Sequence, residues 1–272
     1  MYFSCFRRLA VMVCLPLLIG FSACNKFEYS PNEVRLDEEE KDLTRKNLDK
    51  IQALGLDKKS TFRFAVISDT QRFYDELEDA VKALNQRNDL DFVIINGDIS
   101  DFGEIKEYRW VNDRMQKLKT PYLTVIGNHD CQGNGKKIYQ AMYGVYNYTM
   151  NIGRNRFVFI NTNSLEFDEP VPDLNFFRSA LQDTANFDQA FVLAHIAPDD
   201  PDFDRNLEKE FTRISGEHKV KVSIHGHRHL YEAPAKNYGD GVDYLIVGSV
   251  QKRGYEEVTV TGSQVDLKRI LF

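Results

Sequence analysis

Cysteine is scarce in this 272-residue chain, and three of its four copies, Cys5, Cys14 and Cys24, fall within the first 24 residues. If that leading segment is processed, Cys131 is a lone thiol. No internal disulfide can then form, and without a cysteine pair a thiolate metal site is excluded. Long apolar runs are absent too: the N-terminal one, Leu9 to Phe21, falls short of the ~20 residues a spanning helix needs, and Pro16 and Gly20 interrupt it. Basic charge is not in excess, since 35 Lys and Arg stand against 41 Asp and Glu for a net charge of −6. That balance argues against a nucleic-acid polymer as partner. There is no internal repeat, no low-complexity tract and no Pro/Gly/Ser-rich linker, while 42% hydrophobic and 12% aromatic content are ample for a packed core.

The N-terminus carries the first positive signal. Arg7 and Arg8 precede the apolar run, whose length fits the h-region of a secretory signal peptide. It ends in Phe21-Ser22-Ala23-Cys24, which resembles the lipobox of bacterial lipoproteins, with Phe21 where that motif usually has Leu. The resemblance implies a signal peptide over 1–23, lipidation of Cys24, and a mature chain tethered to a membrane of the bacterial cell envelope, periplasmic or surface-exposed. Ordinary signal cleavage and a signal anchor are the alternatives. Loss of Arg7 and Arg8 would leave 33 basic against 41 acidic residues, a charge of −8.

Residues 24–60 read as a lipidated spacer with one helix. The stretch is polar and charged, with a thin apolar stripe at Leu43, Leu48, Ile51 and Leu54 before Gly55, too narrow to fold alone and so expected to lie on the main domain. From 61 to 272 one domain is expected. Strands at 62–68, 91–96 and 122–126 alternate with helices at 75–88 and 103–118, the pattern of βαβ units. A looser stretch with a short helix near Lys136 to Met142 follows. Strands then crowd together at 157–161, 190–194, 220–225, 243–248, 255–260 and 264–271, with helices near 174–183 and 205–214 and a hairpin around Thr261-Gly262-Ser263.

Polar clusters close these strands. Phe64-Ala65-Val66-Ile67 leads into Ser68-Asp69-Thr70-Gln71, and Phe92-Val93-Ile94-Ile95 into Asn96-Gly97-Asp98-Ile99-Ser100-Asp101. Five of the six histidines lie in Gly127-Asn128-His129-Asp130, Ala194-His195 and His225-Gly226-His227-Arg228-His229, while His218 sits in polar sequence and reads as solvated. Histidine that serves only for packing has no reason to gather at strand ends. Carboxylate, amide oxygen and imidazole together suit Mn, Fe or Zn. In extended backbone, residues two apart share a side, so His227 and His229 are expected to face a metal together with Arg228 pointing away; His225 reads as packing or support for the metal histidines.

In order along the chain, these five blocks resemble those of the calcineurin-like metallophosphoesterases. The resemblance implies an α/β fold, a two-sheet β-sandwich core flanked by helices, with two divalent or trivalent metal ions at the strand ends and a phosphate ester as substrate. It implies that Asp98 bridges the two metals, with Asp69, Gln71 and His229 on one and Asn128, His195 and His227 on the other. It also makes His129 the general acid for the leaving oxygen, oriented by Asp101, whose carboxylate would keep a proton available on the ring; the alternative for Asp101 is an N-cap for the helix from about Phe102. Gln71 departs from the family, which mostly has histidine there, and a neutral amide oxygen is a weaker ligand. Gly133-Asn134-Gly135-Lys136-Lys137 lacks the spacing of a phosphate loop and reads as a mobile loop beside the site. Asp199-Asp200-Pro201-Asp202 either borders the pocket or is solvated turn. The competing functional readings are a phosphodiesterase or pyrophosphatase acting on nucleotides or lipid head groups, and a non-catalytic metal-binding lipoprotein.

Overall fold

Alternate residues of the first strand enter different cores. In β1 (Thr61–Ile67), Phe62, Phe64 and Val66 join one buried cluster, and Ala65 and Ile67 join another. A strand sends successive side chains to opposite faces, and the same alternation in β2 (Phe92–Asn96) splits Phe92 and Ile94 from Val93 and Ile95. Both faces of this sheet are therefore covered. The computed structural model describes residues 34–272; the expected signal peptide and Cys24 lie outside the described residues.

The first sheet runs β11-β10-β1-β2-β3, where β3 is Tyr122–Val125, β10 Gly254–Thr261 and β11 Gln264–Leu271. β1, β2 and β3 are parallel, and β10 lies antiparallel to β1 with β11 as its hairpin partner. The second sheet runs β4-β5-β6-β7-β9-β8, with β4 at Tyr148–Ile152, β5 Asn155–Phe159, β6 Gln189–Leu193, β7 Val220–His225, β8 Glu232–Ala235 and β9 Asp243–Ile246. Its four central strands β5, β6, β7 and β9 are parallel. Two strands go beyond the sequence reading. β4 carries an alternating pattern of buried Tyr148, Met150 and Ile152 inside the stretch read as loose, whereas β8 is Glu-Ala-Pro-Ala, a largely exposed edge strand with no apolar alternation to find and a proline tolerated because it is at an edge.

The two sheets face each other across an aromatic core. Phe64 stacks on Phe92 at 5.0 Å and Phe157 on Phe191 at 4.9 Å, and Phe64 meets Phe157 edge-on at 5.4 Å, offset and edge arrangements that add to plain area burial. Outside the first sheet, Leu77, Tyr108 and Tyr139 pack down from helices α2 (Tyr74–Asn85), α3 (Ile105–Met115) and α4 (Gly135–Met142). Outside the second, Phe177 and Phe211 stack at 4.5 Å from α5 (Leu174–Gln182) and α6 (Arg205–Glu217). The layering is helices, sheet, sheet, helices. That is the two-sheet core flanked by helices expected from the family resemblance.

The N-terminal stripe is part of this packing. In α1 (Leu43–Ala53), Leu43 and Ile51 are buried in the two cores that flank the first sheet, and Leu36 and Leu56 are buried on either side of the helix, while Leu54 stays exposed. Glu40 accepts two bonds from the Arg109 guanidinium of α3, at 2.8 and 3.0 Å. Among the described residues no helix is long and apolar enough to cross a membrane.

Candidate metal centre

Parallel strands end at one edge. β1, β2 and β3 deliver Asp69, Asp98 and Asn128 to the carboxyl edge of the first sheet, and β6 and β7 deliver His195 and the 226–229 turn to that of the second. The edges are fastened together by Asn96, whose buried Nδ2 donates to Ala194 O at 2.9 Å and Ile224 O at 3.1 Å, and by a parallel bridge between Ser68 and Ser249. Loops that leave such strands must turn at once. Asp69, Asp98, His227 and His229 accordingly take φ values of 51, 54, 70 and 57°, a left-handed region costly for non-glycine residues and concentrated at functional sites. Gly97, at φ 95°, is required twice, since a Cβ there would also overlap the His195 ring.

Asp98 is the point on which the donors converge. Its carboxylate oxygens lie 3.2 Å from His195 Nε2 and 3.2 Å from Gln71 Nε2, and accept the His129 backbone N–H at 3.0 Å. On one side Asp98, His195 and His227 present ligand atoms within 4.8 Å of one another; on the other Asp69, Asp98 and His229 do the same. Asn128 Oδ1 joins the first group, 3.2 Å from His195 Nε2 and 3.0 Å from His227 Nδ1. Asp69 Oδ1 stands 3.4 Å from His229 Nε2 in the second. Burial opposes the Asp98 charge, but the His195 imidazolium and the His129 N–H hold its carboxyl below the ordinary range. Burial pushes Asp69 up to about 7, against the pull of His195. His195 is buried as well, which disfavours its charge, yet the two carboxylates raise it to about 10.

The donor set fits metal ions. Two overlapping groups of carboxylate, imidazole and amide oxygen share one carboxylate, and the buried Asp69 Oδ1 and Gln71 Oε1 have no hydrogen-bond partner, a bonding requirement that a cation satisfies. Gln71 is turned with its amide N–H, not its oxygen, toward Asp98; a half-turn of the amide exchanges the two atoms, as an oxygen ligand would require.

Three readings from sequence need correction. β7 stops at His225, so His227 and His229 converge through the turn that follows and not through strand alternation; Arg228 does point away, to Asp199, Asp200 and Glu232. Asp101 is not a helix cap, because α3 begins at Ile105 and Glu104 takes the N-cap position, its N–H and that of Phe102 bonded to Glu107. The stretch 133–137 is not all loop: Lys136 lies in α4, in line with the short helix expected near Lys136 to Met142, donates to Glu166 O at 2.8 Å and covers the Phe167 ring. A smaller difference concerns His218, half-buried at the end of α6 on Ile214 O at 3.0 Å; His225, expected to pack or to support the metal histidines, is buried with Nε2 2.8 Å from Ser223 Oγ and pushed down to about 3 by burial. The latter is a packing role.

His129 stands at the rim with its side chain 34% exposed, Nδ1 3.2 Å from Asp101 Oδ1 and 3.0 Å from Asp101 O. The same carboxylate receives Arg72 Nε at 2.7 Å. Arg72 directly follows the Asp69-Thr70-Gln71 block, but its partner Asp101 comes from a different loop and is visible only in the folded chain. Asp130 has a structural role that its place beside His129 does not reveal. Buried, it accepts the backbone N–H groups of Ile99, Ser100 and Gly127 at 3.0, 2.7 and 2.9 Å, which pins the loop that carries Asp98. Cys131 is buried and its thiol is pushed up by that burial, away from reactivity.

Comparison with known proteins agrees with this layout. Residues 62–231 match the family model of the calcineurin-like phosphoesterases. A probable cyclic nucleotide phosphodiesterase of Xenorhabdus bovienii is 31% identical over 61 residues, 22% of this chain and 25% of that protein; the match thus spans about a quarter of the relative. The fold is similar to that of purple acid phosphatase PPD1 from yellow lupin (TM-score 0.62, 16% identity, 78% of this chain and 52% of that one). It is also similar to that of GAP50, the anchor in the inner membrane complex of Plasmodium (TM-score 0.60, 16% identity, 78% and 85%).

Proposed function

The chain belongs to the calcineurin-like phosphoesterase family, and from that premise we propose that it hydrolyses phosphate esters at a dinuclear metal centre built around Asp98. The observation that carries this reading is the single buried carboxylate shared by two Asp/His clusters. Asp69, Gln71, Asp98 and His229 would hold one ion, and Asn128, Asp98, His195 and His227 the other. Bound there, a cation pair supplies Lewis acidity, clamps the oxygens of an in-line displacement and can lower the pKa of water from about 15.7 toward about 7. His129 donates the proton to the leaving oxygen, since it stands at the open rim with a carboxylate on its Nδ1. Asp101 sets the ring, and Arg72 in turn holds Asp101.

Turnover of p-nitrophenyl phosphate and bis(p-nitrophenyl) phosphate with Mn, Zn or Fe tests the proposal. Loss of activity in His129→Ala with metal retained supports an enzyme, whereas no turnover of either ester by metal-loaded protein would point to a metal-binding lipoprotein without catalysis. A diester substrate of nucleotide type is the second reading, favoured by the short match to the Xenorhabdus protein; a higher kcat/KM on the diester supports it.

The cellular reading is a lipid-anchored protein of a bacterial envelope, acylated at Cys24, supported by the Arg7-Arg8, apolar-run and Cys24 sequence. Partition of the full chain into a detergent phase, lost in Cys24→Ser, tests it.

A further inference from the structure

The acidic turn Asp199-Asp200-Pro201-Asp202 reaches back to the metal-facing histidines. It leaves β6 just after His195, and its carboxylates converge on His227 and Arg228. The His227 ring is held along both edges: Nδ1 lies 3.0 Å from Asn128 Oδ1, on the side of the Asp98 cluster, and Nε2 lies 3.2 Å from Asp202 Oδ2 and 3.7 Å from Asp200 Oδ1. The two aspartates are not equivalent. Asp200 is buried, takes Arg228 Nε on Oδ2 at 2.9 Å and spends Oδ1 on the Asp202 backbone N–H at 3.1 Å. Its charge is matched by the guanidinium, which continues to Asp199 at 2.7 Å and Glu232 at 3.0 Å. Asp202 is left to the imidazole.

We propose that Asp202 is a positioning residue whose carboxylate, 3.2 Å from Nε2, braces the outer edge of the His227 ring and so holds Nδ1 toward the Asp98 cluster. This rests on the metal reading of that cluster. A ligating histidine commonly donates its second ring N–H to a carboxylate, which orients the ring and raises its basicity. Asp200, Asp202 and His227 are also close enough together to hold a cation of their own. Arg228 argues against that use, because it already occupies Asp200, whereas the positioning role leaves that ion pair in place and uses the carboxylate of Asp202. The loop after one proposed ligand, His195, thereby braces another, His227, on the next strand of the sheet.

The test uses the wild type, Asp202→Ala, Asp202→Asn and Asp199→Ala, each titrated with Zn or Mn against a chromophoric chelator, with the surroundings of His227 Nε2 read from imidazole ¹⁵N shifts of the metal-free proteins. Asp202→Ala is expected to bind metal about 10–100-fold more weakly and to move the His227 Nε2 resonance. Asp202→Asn keeps an accepting oxygen and is expected to stay within about threefold of wild type in metal affinity, as is Asp199→Ala, whose side chain is bonded to Arg228 and not to His227. Metal binding by Asp202→Ala at wild-type strength, or an unmoved His227 Nε2 resonance, overturns the proposal. Failure of the wild type to bind metal overturns the underlying reading instead, and the nitrogen shifts still decide whether Asp202 sets the ring.

Discussion

Asp98 and Glu256 are equally buried, each 1% exposed, and their surroundings make them opposites. Asp98 sits at a strand end among N–H donors and imidazoles, and its carboxyl is held below the ordinary range although burial pushes the other way. Glu256 sits within β10, neither carboxylate oxygen has a hydrogen-bond partner, and burial raises it to about 7 despite the nearby Arg269. Burial alone therefore does not mark a functional carboxylate. What distinguishes the site is convergence: several loops, each leaving its own strand, bring donors to one carboxylate, whereas β10 brings only its strand neighbours.

The hardest test of that contrast is to remove the same charge in both places. Asp98→Asn is expected to lower kcat/KM on p-nitrophenyl esters by on the order of 10⁴-fold or more, above about 5 kcal/mol, with loss of bound metal by elemental analysis. His129→Ala should cost about 10²–10⁴-fold in kcat with metal content unchanged, separating the rim from the floor of the site. Gly97→Ala tests the backbone that presents Asp98: positive φ and overlap with His195 should lower stability by about 2 kcal/mol or more, read from the urea midpoint.

Glu256→Gln is the mirror experiment. Because the folded pKa of about 7 lies above the ordinary 4.5, the unfolded chain releases this proton first as pH rises, so wild-type stability is fully present below about 4.5 and falls as pH climbs through 7. The glutamine variant should flatten that part of the stability profile and leave turnover unchanged; a profile identical to wild type would mean the carboxylate is not isolated. Among the site variants the smallest effect is expected for Arg72→Ala. Its side chain is 61% exposed although Asp101 is buried, and with the guanidinium in solvent the pair is worth about 1 kcal/mol, or roughly fivefold in kcat, with metal content intact.

Much of the fold and of the metal centre is legible in the amino-acid sequence. β1 and β2 announce themselves by continuous apolar runs closed by polar blocks, and Asp69, Asp98, Asn128, His195, His227 and His229 do stand together at one edge. β8 is not legible there, since an edge strand of Glu-Ala-Pro-Ala has no buried face to impose a pattern. The roles of Arg72, Asp130 and Asp202 are hidden for another reason: each acts through a partner on a different loop. His227 and His229 do face the cluster together, as strand alternation predicts, but they reach it by a different geometry, because alternation does not extend past the strand's end.

By itself the sequence determined the strands and helices of the layers and the chemistry available at their ends, because both follow from local periodicity and residue type. Only the tertiary structure decided which of those groups meet. Asn128 and His227 are 99 positions apart, and His195 and Asn96 likewise, and no local pattern encodes a contact over such a span. The parallel strands of two packed sheets create it, by ending at one edge and forcing the chain through left-handed turns that aim the side chains inward.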